Sequence, residues 1–186
     1  MSKILVDTID TRSGTSNITI GSSNASQITL KSGATLTNFP DNTPAFRATR
    51  PSNQTLTDAT NTKIQFNSED FDTDNCYDST TNYRFTPTSS GKYVVTATIR
   101  FLSDANSRIA TTNILFFKNG SEHSNYPCNY RDNNHNGITM HRTDIISFNG
   151  SSDYLEVYGN CDVDSGGIVA CGGSTTTFIA YRIIGV

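Results

Sequence analysis

The stretch Tyr93-Val94-Val95-Thr96-Ala97-Thr98-Ile99-Arg100-Phe101 decides the fold class, because its apolar residues alternate with polar ones. The positions on one face are Tyr93, Val95, Ala97, Ile99 and Phe101, and the opposite face carries Thr96, Thr98 and Arg100. This period of two is typical of a β-strand with one face in the core and the other in water. No segment shows a sustained helical period, so we predict an all-β protein.

Shorter patterns of the same kind occur elsewhere in the chain. Ile64 and Phe66 alternate before an acidic stretch, Leu155 and Val157 alternate farther on, and residues 114–117 are a run typical of a buried strand. These patterns predict a series of short strands from Pro44 to Val186, forming one sandwich.

Turn chemistry agrees with this prediction. Asn119-Gly120 and Asn149-Gly150 both follow apolar runs. Such pairs favour two-residue hairpin turns, in which both central residues have positive φ. Pro87 and Gly91 indicate a further turn before the strand at 93–101. We therefore expect antiparallel strands.

Composition and charge limit the class of function. The chain has 186 residues, 34% hydrophobic and 10% aromatic, which suits one β-sandwich with an extension. Net charge is −3, and the 14 Lys and Arg residues are scattered singly, so no basic stripe is available to bind phosphates. We predict no nucleic-acid partner. No apolar run approaches membrane-spanning length, so we also predict no membrane insertion.

Residues 1–43 form a separate low-complexity arm with a weak repeat. Thr15-Ser16-Asn17-Ile18-Thr19-Ile20-Gly21 is echoed by residues 25–31 and more loosely by 33–37. The apolar members of the repeats are Ile18, Ile20, Ile28, Leu30 and Leu36. One thin ribbon cannot bury them alone, so we predict that three chains wind together here. A flexible linker is the alternative.

The remaining residues, 44–186, are predicted to form a head domain, and part of this head resembles a known family. The stretch Phe85-Thr86-Pro87-Thr88-Ser89-Ser90-Gly91-Lys92-Tyr93 resembles the Phe-x-Pro-x-x-x-Gly-x-Tyr signature of the complement-component-one-q globular head and its tumour-necrosis-factor-like relatives. Residues 44–48, 63–67, 117–120 and 178–185 resemble other strands and a hairpin of that family. The resemblance covers most of residues 44–186. It implies an antiparallel jelly-roll sandwich that assembles as a homotrimer.

The resemblance assigns packing roles and also shows departures. It implies that Phe85, Tyr93, Phe101, Ile179, Tyr181 and Ile183 serve the core and the trimer contacts. In the last strand Tyr181 stands where the family usually has a small residue, so packing near the threefold axis is expected to differ. Relative to the family, residues 150–153 form a small insertion before the penultimate strand.

The arm carries a second resemblance. Its Val-Asp-x-Ile start, Ser-Gly-Thr-Ser motif and Ile-Thr repeats resemble the N-terminal segments of tail-fibre and other virion structural proteins of bacteriophages, notably marine ones. Ile4, Val6 and Ile9 precede the repeats and are interpreted as the anchor on other virion proteins. No targeting signal is seen, which predicts synthesis in the host cytoplasm and exposure on the particle exterior.

Catalysis has little support in the sequence. His123, His135 and His141 are the histidines, and neither a Gly-x-Ser-x-Gly elbow nor a glycine-rich phosphate loop occurs. We therefore predict that the protein is not an enzyme.

Cofactor and disulfide chemistry leave alternatives open. We predict no cofactor, with calcium as the alternative, since the acids Glu69, Asp70, Asp72, Asp74 and Asp78, and also Asp162 and Asp164, offer the oxygen ligands calcium prefers. Four cysteines without a Cys-x-x-Cys pair argue against structural zinc. A Cys161–Cys171 disulfide would close the loop before the last strand, and free thiols are the alternative.

The best candidate for ligand recognition is the segment from Glu122 to Asn136. It concentrates His123, Tyr126, Tyr130 and Arg131 among Asn and Asp, a mixture suited to stacking on sugars and bonding their hydroxyls. Packing of the two tyrosines under the loop is the alternative.

Together these features favour a structural virion protein of a bacteriophage. We predict a trimeric, tail-fibre-like appendage whose arm attaches to the tail or capsid and whose head binds a glycan or protein of the host surface. A capsid decoration protein and a secreted lectin-like module are the alternatives.

Overall fold

A computed structural model describes residues 32, 42–103, 109–130, 135–164, 169–171 and 175–184. The described residues form strands and their connections, and none of them belongs to a helix of the length and apolar character needed to cross a membrane. The strands are β1 (Ala45–Thr49), β2 (Gln54–Leu56), β3 (Thr62–Lys63), β4 (Ser68–Asp72), β5 (Tyr77–Asp78), β6 (Arg84–Phe85), β7 (Gly91–Leu102), β8 (Ile109–Lys118), β9 (Ser121–Asn125), β10 (Cys128–Asn129), β11 (Gly137–Phe148), β12 (Leu155–Val163), β13 (Val169–Cys171) and β14 (Thr177–Arg182).

The strands form two seven-stranded antiparallel sheets. Sheet A has the order β2-β13-β7-β14-β1-β4, with β11 on the other side of β7, and sheet B has the order β10-β8-β12-β6-β5, with β9 beside β8 and β3 beside β12. The long strands β7, β8, β11, β12 and β14 alternate between sheets A and B along the chain. This alternation makes an antiparallel jelly-roll sandwich and confirms the predicted fold class.

The core lies between the two sheets and follows the alternation read from residues 93–101. The inward residues of β7, from Tyr93 to Phe101, are fully buried, and they face sheet B residues such as Phe116 and Val157. Each fully buried large side chain contributes about 1.5–3 kcal/mol relative to exposure. The core therefore supplies the main driving force for folding.

The Phe85 to Tyr93 signature has a clear physical role. The rings of Phe85 and Tyr93 meet edge to face at 5.5 Å, and both are fully buried. The Tyr93 hydroxyl donates a hydrogen bond to the Ser89 carbonyl at 2.7 Å, which closes the turn between β6 and β7. The signature thus fixes the entry of β7, a 12-residue strand of sheet A, into the core.

One of the two predicted hairpin turns is confirmed. Asn119 and Gly120 have φ values of 54° and 78°, and they join β8 to β9 as a two-residue turn. The Asn119 side chain also accepts from the Tyr154 backbone at 2.9 Å.

The second predicted hairpin turn, at Asn149-Gly150, is wrong. It lies in the connection from β11 in sheet A to β12 in sheet B, so its flanking strands do not pair with each other. Asn149 instead accepts three backbone hydrogen bonds from residues 151–153. Gly150 has a φ of 74°, and a Cβ there would overlap the backbone of Ser89 and Ser90. The glycine is required by this close approach and not by a hairpin.

The predicted arm is largely outside the described residues. Ile4, Val6, Ile9, Ile18, Ile20, Ile28, Leu30 and Leu36 all lie there. The described head belongs to a unit that spans Pro40–Val186. The domain boundary after residue 43 and the roles of the arm residues stay predictions.

Candidate ligand-binding site

A cavity of about 300 Å³ lies where the edges of the two sheets meet. Strand β11 is the edge of sheet A on that side, and β9 and β10 form the facing edge of sheet B. The lining residues are Ile114, Tyr126, Cys128, Met140, His141, Arg142 and Thr143. The cavity thus has an apolar wall, an aromatic ring and several polar groups. That combination is typical of small-molecule sites.

Arg142 is the charged residue of this cavity and is 9% exposed. In β11 it pairs with Ala97 of β7, so its position faces inward. Its Nη1 donates to the Ile114 carbonyl at 2.7 Å, which ties the edge of sheet A to sheet B. Its guanidinium lies 5.0 Å from the ring centre of Phe116 and 5.5 Å from that of Tyr126. Two aromatic rings and one carbonyl therefore hold the guanidinium in place.

The charge of Arg142 is incompletely compensated within the described part of the chain. Its Nε is buried and has no hydrogen-bond partner there, and none of the three ion pairs found among the described residues includes it. Asp144 lies near Arg142, but its carboxylate accepts hydrogen bonds from Ser124 Oγ and from the Ile145 backbone N–H. Burial lowers the pKa of the Arg142 guanidinium, and Asp144 partly opposes this effect. A buried cation without a carboxylate partner is costly.

A small polar network borders the cavity on the outer face of sheet A. The hydroxyls of Thr96 and Thr143 are 2.9 Å apart, and His141 contacts Thr98 through Nδ1 at 3.0 Å and Thr143 through Nε2 at 3.1 Å. The network fixes the orientation of the His141 ring and of the Thr143 hydroxyl beside the cavity.

The structure separates the two tyrosines of the predicted ligand segment. Tyr126 is 75% exposed and lines the cavity, and its backbone N–H donates to Asn113 Oδ1 at 2.8 Å. Tyr130 packs against the core, and its hydroxyl accepts from Thr112 at 3.3 Å. His123 is exposed on β9 and does not line the cavity, and Arg131 lies outside the described residues. Much of the segment is edge strand, β9 and β10.

Sequence reasoning missed Arg142 and Met140 as site residues because it did not recognise β11, and it interpreted Ile114, on β8, only as part of a buried strand. The inward positions of β11 include Arg142 and Asp144 between apolar residues, which interrupts the apolar alternation. An isolated arginine on the inward face of a strand is itself a usable signal, since a buried arginine needs a partner.

The predicted packing residues divide between the core and the outer face of sheet A. Phe85, Tyr93 and Phe101 are fully buried in the core. Ile179 and Tyr181 point outward, because the inward positions of β14 are Phe178 and Ala180. Their assignment to the core is therefore wrong, as is that of Ile183, which lies past the end of β14 and is half-buried. A role for these three residues in trimer contacts stays a prediction.

The predicted acidic loop is a strand in part. Glu69, Asp70 and Asp72 belong to β4, which pairs with β1 at the edge of sheet A. Asp70 forms an ion pair with Arg47, and Asp72 accepts from the backbone N–H groups of Asp74 and Tyr77. No group of three or more acidic, His or Cys side chains suited to a metal occurs among the residues that the structure describes. Asp70 and Asp72 are thus used in local contacts, and calcium binding stays an open alternative.

The predicted Cys161–Cys171 disulfide is not formed. Cys161 is a free thiol, fully buried on the inward face of β12 in sheet B, whereas Cys171 lies on β13 in sheet A. Burial raises the pKa of the Cys161 thiol to about 12. Cys161 therefore acts as a small apolar core residue. Cys76 is a buried free thiol, and Cys128 is an exposed one at the cavity.

No protein-family model and no curated protein matches this chain. Solved structures do match it. The structure of Eiger TNF from S. frugiperda matches with a TM-score of 0.51 and 9% sequence identity. The match covers 76% of this chain and 93% of the Eiger TNF chain. The structure of murine APRIL at pH 5.0 matches with a TM-score of 0.54 and 6% identity, and the structure at pH 8.0 matches with a TM-score of 0.52 and 8% identity. Each match covers 75% of this chain and 98% of the APRIL chain.

These matches establish the fold of the head. Its jelly roll is similar to that of tumour-necrosis-factor proteins over about three-quarters of this chain, which confirms the predicted fold class. The resemblance of the arm to bacteriophage proteins is not addressed by any of these matches and stays a prediction.

Proposed function

We propose that this chain is a homotrimeric structural protein of a bacteriophage virion, a tail-fibre-like appendage whose head projects into solvent and binds the host surface. The observation that supports the trimer is a row of apolar side chains, here called the apolar row, across the outer face of sheet A. Ile145 pairs with Val94, Val94 with Tyr181, and Tyr181 with Ala45, so the row crosses four strands. The fold shared with TNF proteins supports a binding module.

The row is unusual for a free surface. Ile145 and Tyr181 are 58% and 43% exposed, and Phe71, on the next row of the same face, is 49% exposed. Single exposed apolar residues are normal, but a contiguous exposed patch marks an interaction site. Two rows along, the face is polar, with Thr98 and His141 on paired strands. The boundary between apolar and polar rows limits the contact to one end of the face.

A threefold arrangement suits this surface. Closed cyclic trimers use heterologous contacts around one axis, and three copies of the row would face that axis and leave water together. The edge cavity with Tyr126 lies on the side of the sandwich formed by β10 and β11 and supplies the binding role of the head.

The role of the arm is tested by substitution within the full chain. The combined change Ile4→Ser, Val6→Ser and Ile9→Ser removes the apolar side chains of the predicted anchor. We expect incorporation into particles to fall at least about tenfold, because burying three such side chains contributes several kcal/mol. Quantitative mass spectrometry of purified particles measures this loss.

The matched control keeps the same segment but changes Thr8→Ser and Thr11→Ser, and it should be incorporated normally. The anchor variant should still sediment as a trimer. Normal incorporation of the anchor variant would contradict the proposed attachment.

A further inference from the structure

The edge cavity contains a cation that forms no ion pair among the described residues, although Asp144 and Glu122 lie near enough to act on its charge. Arg142 is nine-tenths buried, lines the cavity and offers five N–H donors, of which Nη1 is used by the Ile114 carbonyl. Its Nε has no partner in the described part of the chain. The guanidinium is held in place by the rings of Phe116 and Tyr126. A preorganised, underused guanidinium is well suited to bind a carboxylate.

The rest of the cavity limits the size and shape of the ligand. A volume of about 300 Å³ is at the lower end for ligand pockets, so it suits one ring and not an extended chain. Tyr126 presents a largely exposed ring on which the apolar face of a sugar can stack. Met140 and Ile114 add an apolar wall.

Hydroxyl recognition comes from Thr143 beside the cavity. Its hydroxyl has one donor and two acceptor positions and already contacts Thr96 and His141. One position therefore remains for a ligand hydroxyl. The site thus combines one cation, one stacking ring and a single hydroxyl partner.

From this combination we infer that the cavity between β8, β10 and β11 binds an acidic monosaccharide unit, with its carboxylate on Arg142 and its ring against Tyr126. The inference rests on the proposed function, since it names the ligand class of the binding head.

The test compares two sugars that differ at one carbon. D-glucuronate carries a carboxylate where D-glucose carries a CH₂OH group. Ligand-observed NMR titrations on the full-length trimer should give a dissociation constant on the order of 1 mM for glucuronate, as expected for one small sugar. Glucose should bind at least about tenfold more weakly, because it lacks the charge-assisted hydrogen bonds.

Variants locate the binding at the cavity. Tyr126→Ala removes an exposed ring, so the fold is kept, and it should weaken glucuronate binding several-fold. Arg142→Gln should make the affinities for glucuronate and glucose equal. His123→Ala is the matched control, since His123 belongs to the same segment but does not line the cavity, and it should bind like the native chain.

Equal affinity of the native trimer for the two sugars, or no binding of glucuronate, would overturn the inference. Glucuronate would also fail to bind if a neighbouring copy covered the cavity in the trimer. Unchanged binding by Tyr126→Ala would also overturn it. These titrations do not depend on particle incorporation. The ligand inference can therefore fail while the proposed virion role stands, and the virion role can fail while the ligand inference stands.

Discussion

Phe46→Ala should lower the free energy of unfolding by about 3–5 kcal/mol, the range for truncating a buried phenylalanine. Phe46 is fully buried on β1. Its ring stacks on Tyr77 and Phe85, with centre distances of 4.6 and 4.8 Å, and meets Phe178 edge to face at 4.9 Å. The substitution removes the centre of an aromatic cluster that links the two sheets. Since domains are stable by only about 5–15 kcal/mol, much of the stability would be lost.

Urea unfolding followed by far-ultraviolet circular dichroism measures this change, at one fixed protein concentration because assembly adds to apparent stability. His123→Ala, at an exposed position of β9, is the surface control and should shift stability by less than about 0.5 kcal/mol. A loss below about 1 kcal/mol for Phe46→Ala would show that the aromatic cluster is not the centre of the core.

Tyr181→Asp should convert the trimer to monomer at micromolar concentration. Tyr181 lies in the middle of the apolar row, between Val94 and Ala45 on the neighbouring strands. An aspartate there would carry three charges into one desolvated contact around the axis, and burying an unpaired charge is strongly unfavourable. The side chain is 43% exposed in the single chain, so the fold of the monomer should change little.

Sedimentation equilibrium measures the mass of each species. The native chain should sediment at about three times its 20.3 kDa, and Tyr181→Asp should sediment as the single chain with an unchanged circular dichroism spectrum. Ser121→Asp introduces the same charge at an exposed position of β9 in the other sheet and should remain trimeric. A Tyr181→Asp variant that stays trimeric would place the contact elsewhere.

Local sequence patterns predicted the strands that follow a simple alternation. Residues 93–101 point inward and outward as predicted, and the Asn119-Gly120 turn has the expected backbone. Both features are set by neighbours in the chain, which explains why they could be read from the sequence. The alternation also predicted which face of β7 is buried, although not the partners of this strand.

Features set by distant partners were not predictable in this way. Strand β11 was missed because Arg142, at an inward position, is accommodated by the Ile114 carbonyl and by two rings from other strands. The acidic stretch of β4 forms a strand because β1 supplies its hydrogen bonds and Arg47 pairs with Asp70. The Asn149-Gly150 pair failed as a hairpin because its flanking strands belong to different sheets. The candidate site therefore depends on pairings that the sequence does not display locally.

The most direct test of the proposed function is cryo-electron microscopy of purified phage particles from lysates in which this chain is made. We predict threefold density on the particle exterior that fits three copies of the sandwich, with the apolar rows of sheet A facing the axis and the arm leading to the particle. Particles that lack both this density and the chain would contradict the account.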